Sequence, residues 1–222
     1  MVKTFSIIIP VYRNSESINL LVETLSDLIH EIENKMSVKV DVIFIIDGCP
    51  DDSFFKLSNV LKHKKFKSKI LLHSRNFGAF AAIRSGLEVT SSDYIAVMAA
   101  DLQEPVEIIF KFLDNLIDNK NDIVVGVRLD RHDTLFTRLT SSIFWKLYKL
   151  FIIPDIPKGG VDIFGCNRTV YKKLLELNET HSSLIAQLYW LGYRKKEIGY
   201  HRLKRQFGPS AWTLKKKIKY FL

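Results

Sequence analysis

Cysteine is nearly absent: Cys49 and Cys166 are the only two in 222 residues. That excludes a disulfide framework and a cysteine-built zinc site, and two free thiols fit a reducing compartment. Glycine does not occur before Gly48, so the glycine-rich turn that dinucleotide-binding folds place after their first strand has no counterpart. No G-x-x-x-x-G-K-[ST] phosphate loop occurs either. No apolar run approaches the roughly 18 residues that a membrane-spanning helix needs. The stretch Phe5 to Val11 is too short for a signal peptide and reads as a strand. Internal repeats and linkers are also missing, which leaves one domain.

Acidic residues are scarce at one end. Arg194, Lys195, Lys196, Arg202, Lys204, Arg205, Lys215, Lys216, Lys217 and Lys219 face only Glu197 across that segment, which accounts for the whole net charge of +9. A positive end on a neutral body points to an anionic partner, with a solvated basic face as the plain alternative. No nucleic-acid reading motif accompanies the charge, so no nucleic acid is expected as partner.

Hydrophobic residues make up 47% of the chain, and their order shows how they are used. Phe5 to Val11, Val38 to Ile46, Ile70 to His73, Tyr94 to Met98 and Ile123 to Val127 are strand-like runs. Between them Ile18, Leu21, Val22, Leu25, Leu28, Ile29 and Ile32 repeat at helical spacing. Asp51-Asp52-Ser53 forms a turn able to cap a helix, and further helices are expected from Ala79 to Glu88 and from Pro105 to Ile117. Such alternation predicts an α/β fold, an open and mainly parallel sheet flanked by helices. Beyond it the pattern predicts a long aromatic-rich helix over Leu135 to Phe151, a Pro/Gly loop over Ile152 to Gly165, short helices over Val170 to Leu177 and Leu184 to Leu191, and a strand over Lys195 to Tyr200. Trp145, Tyr148 and Phe151 are expected in the core.

Ligands of an open parallel sheet bind beyond the carboxyl ends of its strands. Three loops leave such ends: Tyr12 to Glu16, Asp47 to Ser53, and Ala99 to Pro105. In the last, Asp101 and Gln103 alternate onto one side of an extended segment. Oxygen ligands at that spacing suit Mg²⁺ or Mn²⁺ on a diphosphate. The competing account is an Asp that caps a turn.

Read in order, Pro10-Val11-Tyr12, Asp47-Gly48 with Asp51-Asp52-Ser53, Ser74-Arg75-Asn76-Phe77-Gly78 and Ala100-Asp101-Leu102-Gln103-Glu104-Pro105 resemble the family 2 glycosyltransferases of the GT-A fold. More narrowly they resemble the polyprenyl-phosphate sugar transferases of the dolichyl-phosphate mannose synthase type. Gly126-Val127-Arg128, Asp162, Arg202 to Arg205 and Gly208-Pro209-Ser210-Ala211-Trp212 extend the match over nearly the whole chain. The resemblance implies a GT-A sheet with a Rossmann-like nucleotide-binding half, over residues 1–209, and a basic amphipathic helix over 210–222. It implies an inverting transfer of sugar from a nucleotide-diphosphate sugar donor to a polyprenyl phosphate or glycolipid acceptor. Pro10, Tyr12 and Asn14 would lie at the nucleotide, with Asp47 bonded to its base and Arg75 and Asn76 near the donor. Asp101 and Gln103 would hold Mg²⁺ or Mn²⁺, and Asp101, Asp162 and Arg128 would serve the reaction. Arg128, Arg202, Arg205 and Ser210 would meet phosphate or acceptor, since guanidinium forks make paired, charge-assisted bonds to phosphate oxygens.

This sequence departs from the family pattern at Ala99, where an Asp is usual, at Arg13-Asn14 in place of Asn-Glu, and at Ala211 in place of Lys. Two other functions stay open at this level: addition of a sugar to a hydroxyl of a growing surface polysaccharide, with Asp162 or Glu104 as base, and an inactive module that only binds a nucleotide sugar. The tail mixes Lys215, Lys216, Lys217 and Lys219 with Trp212, Leu214, Ile218, Tyr220 and Phe221. That composition suits a helix at an anionic membrane surface. It implies a cytoplasmic protein peripheral to or anchored at the membrane, with the chain's last residues expected just ahead of a membrane segment.

Overall fold

The computed structural model of the protein describes residues 2–129, 161–177, 179 and 183–207. Its centre is β1 (Thr4–Val11), in which Phe5, Ile7, Ile8, Ile9 and Val11 are fully buried. A strand covered on both faces requires such a continuous apolar run. The others among the described residues are β2 (Lys39–Asp47), β3 (Lys67–His73), β4 (Tyr94–Val97), β5 (Ile123–Arg128), β6 (Phe164–Asn167) and β7 (Lys195–Tyr200), in the order β3-β2-β1-β4-β6-β5-β7. Neighbours pair in parallel except β6, which runs antiparallel between β4 and β5.

Side-chain alternation splits the core. Phe5, Ile7, Ile9 and Val11 face α1 (Ile18–Met36), α2 (Ser53–Leu61) and α4 (Glu107–Ile117). Ile8, Ile43 and Ile45 face α3 (Ala79–Val89), α5 (Arg168–Glu176) and α6 (Leu184–Trp190). The buried residues of α1 are Ile18, Leu21, Val22, Leu25, Leu28, Ile29 and Ile32, the set its periodicity predicts. The expected mainly parallel sheet with helices on both sides is therefore present.

One strand replaces an expected loop. The Pro/Gly reading of Ile152 to Gly165 gives way, at its end, to β6. Gly165 lies inside that strand because a Cβ there would meet the Ile95 carbonyl oxygen at 2.9 Å, and a glycine at such a close approach mimics a loop signal. The turn before α2 also differs in detail. Asp52 occupies the N-cap position without a side-chain bond, while Asp51 accepts from the Ser53 hydroxyl at 2.7 Å and the Ser53 amide at 3.3 Å. The expected helix over Leu135 to Phe151, its three aromatics, Ser210 and the basic helix over 210–222 lie outside the described residues.

Gly48 shows how tightly the strand-end loops pack. Its φ is +57°, and a Cβ would lie 2.2 Å from the Arg75 carbonyl carbon and 2.4 Å from the Asn76 nitrogen. The obstruction is backbone and cannot rotate away. Gly48→Ala should therefore lower stability by about 3 kcal/mol, from left-handed strain and displacement of the 75–78 loop. Urea unfolding would read this as a lower midpoint at unchanged slope.

Candidate active site

The carboxyl ends of the parallel strands gather at one rim. The chain runs outward from β1 to β2 and β3, then returns to β4 on the other side of β1. This reversal opens a crevice between the ends of β1 and β4. Two loops line it and are stitched together, since the Ser17 hydroxyl donates to the Asn14 and Ala100 carbonyls, both at 3.1 Å.

On the nucleotide side, Asn14 accepts from the Tyr12 amide at 3.0 Å, and its own amide donates to the Ser53 hydroxyl at 3.2 Å. Asp51 accepts from the Ser15 amide at 3.1 Å. Burial opposes charge on Asp51, yet its bonds from Ser53 and Ser15 hold the carboxyl below the usual range. Pro10, the penultimate residue of β1, is half-buried two residues before Tyr12. Asp47, at the end of β2, is only 2% exposed. It accepts from His73 Nδ1 at 2.8 Å and from the amides of Phe77 and Gly78, both at 2.9 Å. Asp47 thus anchors the loop carrying Arg75 and Asn76.

Asp101 and Gln103 do meet, though not by alternation along an extended segment. Leu102 adopts φ 54°, so the chain turns sharply between them. A single nitrogen, Arg205 Nη2, donates to Asp101 Oδ2 and, at 3.3 Å, to Gln103 Oε1. Two oxygens that share one guanidinium nitrogen converge on one cationic point. Arg202 adds a bond to Gln103 Oε1 at 2.8 Å, and Leu203 donates its amide to the Gln103 carbonyl at 2.8 Å. The segment after β7 therefore lies across this turn, and Phe207 closes a recess of about 130 Å³ with Arg13, Asn14 and Asp51.

A second cluster adjoins. Arg128, at the end of β5, donates to Asp162, which also accepts from the Tyr200 hydroxyl at 3.0 Å. Glu104 lies within electrostatic reach of both clusters and is 3% exposed. Its Oε1 is 3.9 Å from Arg202, and its Oε2 has no hydrogen-bond partner among the described residues. Burial, with Asp101 nearby, raises its carboxyl to about 7 against the opposing pull of Arg202.

The fit to a divalent cation can be judged from these donors. Asp101 and Gln103 supply hard oxygens aimed at one point, as Mg²⁺ and Mn²⁺ prefer. No cluster of three His, Cys, Asp or Glu residues that could hold a metal occurs among the described residues. The residues fit such an ion, and Arg205 stands where it would sit. Sequence reasoning missed two members of the rim. Tyr200 ends a parallel strand, a position that could have flagged it. His73 shows no ligand spacing and gave no signal.

With this geometry in hand, the comparisons are specific. Residues 6–178 match the family model described as "Glycosyl transferase family 2". The undecaprenyl-phosphate 4-deoxy-4-formamido-L-arabinose transferase of Yersinia enterocolitica is 27% identical over 98% of this chain and 65% of its own length. The bactoprenol glucosyl transferase of Shigella phage SfX is 28% identical over 94% of this chain and 67% of its own. The chain thus spans about two thirds of these relatives. Among solved structures, the mannosyltransferase PcManGT of Pyrobaculum calidifontis, in complex with GDP-Man and Mn²⁺, superposes with a TM-score of 0.61 at 14% identity. It matches over 92% of this chain and 57% of that one, which establishes the shared GT-A fold.

Two outcomes follow from the charges. If a cation takes the point that Arg205 holds at Asp101 and Gln103, Arg205→Ala should tighten Mn²⁺ binding without nucleotide by about three- to tenfold, read by paramagnetic resonance of free Mn²⁺. Weaker or unchanged binding would show that the guanidinium does not hold the cation's place. Glu104 titrates higher folded than unfolded, from 4.5 to about 7. Its contribution to stability is complete below about 4.5 and lost as pH rises through about 7. Wild type should therefore lose, between pH 5 and 8, on the order of 2–3 kcal/mol relative to Glu104→Gln in paired urea titrations.

Proposed function

The chain belongs to glycosyl transferase family 2, and from that premise we propose that it moves a sugar from a nucleotide-diphosphate sugar to a polyprenyl phosphate at a membrane surface, with inversion at the anomeric carbon. The carrying observation is the convergence of Asp101 and Gln103 on a point already held by Arg205, with Arg202 beside it. Such a site suits a ligand that is anionic and brings its own cation. The relatives named above, which act on undecaprenyl phosphate and bactoprenol by their names, support the lipid acceptor.

Asp101 and Gln103 would hold Mg²⁺ or Mn²⁺, whose charge stabilises the departing nucleoside diphosphate. The protein's own groups do the rest. Pro10, Tyr12 and Asn14 border the nucleotide, and the loop anchored by Asp47 presents Arg75 and Asn76 to the donor. Arg202 and Arg205, released from the Asp101 turn, are forks suited to phosphate oxygens. Arg128, with Ser210, takes the acceptor phosphate. A lipid phosphate is already anionic and needs little from a base, which agrees with Asp162 being bonded to both Arg128 and Tyr200. A hydroxyl acceptor would need that carboxylate released or the buried Glu104 uncovered, so the polysaccharide reading is less well served. An inactive binding module is disfavoured by the intact arginine set, despite Ala99.

No helix among the described residues is long and apolar enough to cross a membrane. We infer that the basic tail contributes to attachment at the cytoplasmic face, and binding to anionic vesicles should fall when Lys215, Lys216 and Lys217 are neutralised. The function itself is tested with UDP- and GDP-sugars, Mn²⁺ or Mg²⁺ and a short polyprenyl phosphate, measuring nucleoside diphosphate released. Release should require both lipid and one donor, and Asp101→Ala should reduce it by about 100-fold or more. Full activity of Asp101→Ala would remove it from the cation site, and release without lipid would redirect the acceptor.

A further inference from the structure

His73 closes β3 between three partners, none of which its sequence surroundings announce. Its Nδ1 lies 2.8 Å from Asp47 Oδ1 and its Nε2 lies 3.0 Å from the Ser85 hydroxyl on α3. A carboxylate only accepts, so Nδ1 carries the proton, and the ring is oriented through both nitrogens. Phe77 meets this ring edge-to-face, with centroids 5.3 Å apart at 87°. On Phe77 in turn lies the Arg75 guanidinium, 4.1 Å from the ring centroid.

We propose that His73 is a positioning residue for donor binding, which sets the Arg75 guanidinium through the Phe77 ring. This rests on the nucleotide-sugar reading above. The loop backbone is held independently of the ring contacts. Asp47 binds the amides of Phe77 and Gly78, Asn76 reaches the Asp47 carbonyl at 3.4 Å, and Gly48 packs directly on the Arg75–Asn76 backbone. What those contacts leave open is where the Phe77 ring stands, since it is 47% exposed. His73 is the neighbour that fixes it. Arg75 has no acidic partner among the described residues, so the aromatic face orients the guanidinium while its N–H groups remain available to an anion. An arginine held this way suits the diphosphate of the donor better than one tied to a carboxylate, because nothing must be broken for it to bind.

The test is calorimetric binding of UDP and of GDP, each with Mn²⁺, to wild type, His73→Ala, His73→Gln and Arg75→Ala, followed by donor kinetics. His73→Gln keeps an N–H for Asp47 but offers Phe77 no ring edge, so it should stay folded with a urea midpoint only slightly below wild type. Both His73 variants should bind the preferred nucleotide about tenfold more weakly, within the range of one aromatic and one cation–π contact. KM for the donor should rise in step while kcat stays within about twofold. In the Arg75→Ala background, His73→Gln should cost little further affinity, because both act on the same group. Wild-type affinity in His73→Gln, or losses that simply add to those of Arg75→Ala, would overturn the proposal. Wild type that binds neither nucleotide would overturn the nucleotide reading and this inference together, an outcome separable from a defect seen only in the variants.

Discussion

The site depends on β1 being paired in parallel on both edges. Ile8 sits opposite Ile43 of β2 and Val97 of β4, so neither edge of the strand is free and neither face is exposed. Inside β1 the buried Ser6 hydroxyl is taken up by Asp41, Thr90 and Ser92, so the polar groups open to a ligand stand at the strand's end. Because the chain leaves β1 toward β2 and later returns on the other edge, the loops after β1 and β4 part instead of crossing. The crevice between them receives Tyr12 and Asn14 from one side and Asp101 to Glu104 from the other. Loops after β2, β3, β5 and β7 reach the same rim because those strands run the same way. The antiparallel β6 contributes there through the residues that enter it, which is how Asp162 comes beside Arg128.

Charge then decides how the rim rests without ligand. Asp101, Glu104 and Asp162 stand among Arg128, Arg202 and Arg205. Partly buried carboxylates crowded this closely repel one another, and the arginines act as their counterions. Glu104 has the weakest pairing and the deepest burial, and its titration is pushed up. Arg128, Arg202 and Arg205 are therefore not waiting in solvent. They are held within the site by the acids that the ligand's cation would neutralise, so that ligand binding exchanges one set of ion pairs for another. Such exchange limits the desolvation cost of binding a dianion, because the arginines have already lost part of their hydration.

The parallel architecture was readable because burial on both faces writes long apolar runs into β1 and β2, and the helical stripe of α1 writes a clean period. β6 was hidden by Gly165, whose lack of a side chain reflects contact with Ile95 and Phe112 and not a turn. The site divides in the same way. Asp101, Gln103, Arg128, Asp162, Arg202 and Arg205 were legible through ordered motifs at strand ends, and the structure does bring them into two adjoining groups. The pairing of Asp101 with Gln103 was legible, but its cause was not, since the left-handed turn at Leu102 leaves no mark in a leucine. His73 was illegible because its partners come from β2, α3 and the following loop, and only the fold puts them together.

Ala99 sets the charge balance of this rim. With one carboxylate and one neutral amide, the Asp101–Gln103 pair carries a single negative charge that one guanidinium balances fully. A second carboxylate at Ala99 would leave that pair over-acidic, and one arginine would no longer satisfy it. The present composition therefore favours the arginine-held form more than the usual family pattern would, because a missing carboxylate weakens the attraction for a doubly charged cation about twice as much as that for the singly charged Arg205. A cation arriving on a diphosphate brings ligands of its own and gives Arg202 and Arg205 new anionic partners as they leave. A bare cation does neither. On this electrostatic argument, cation and nucleotide should enter this rim together, and the loss of the second carboxylate makes that coupling stronger.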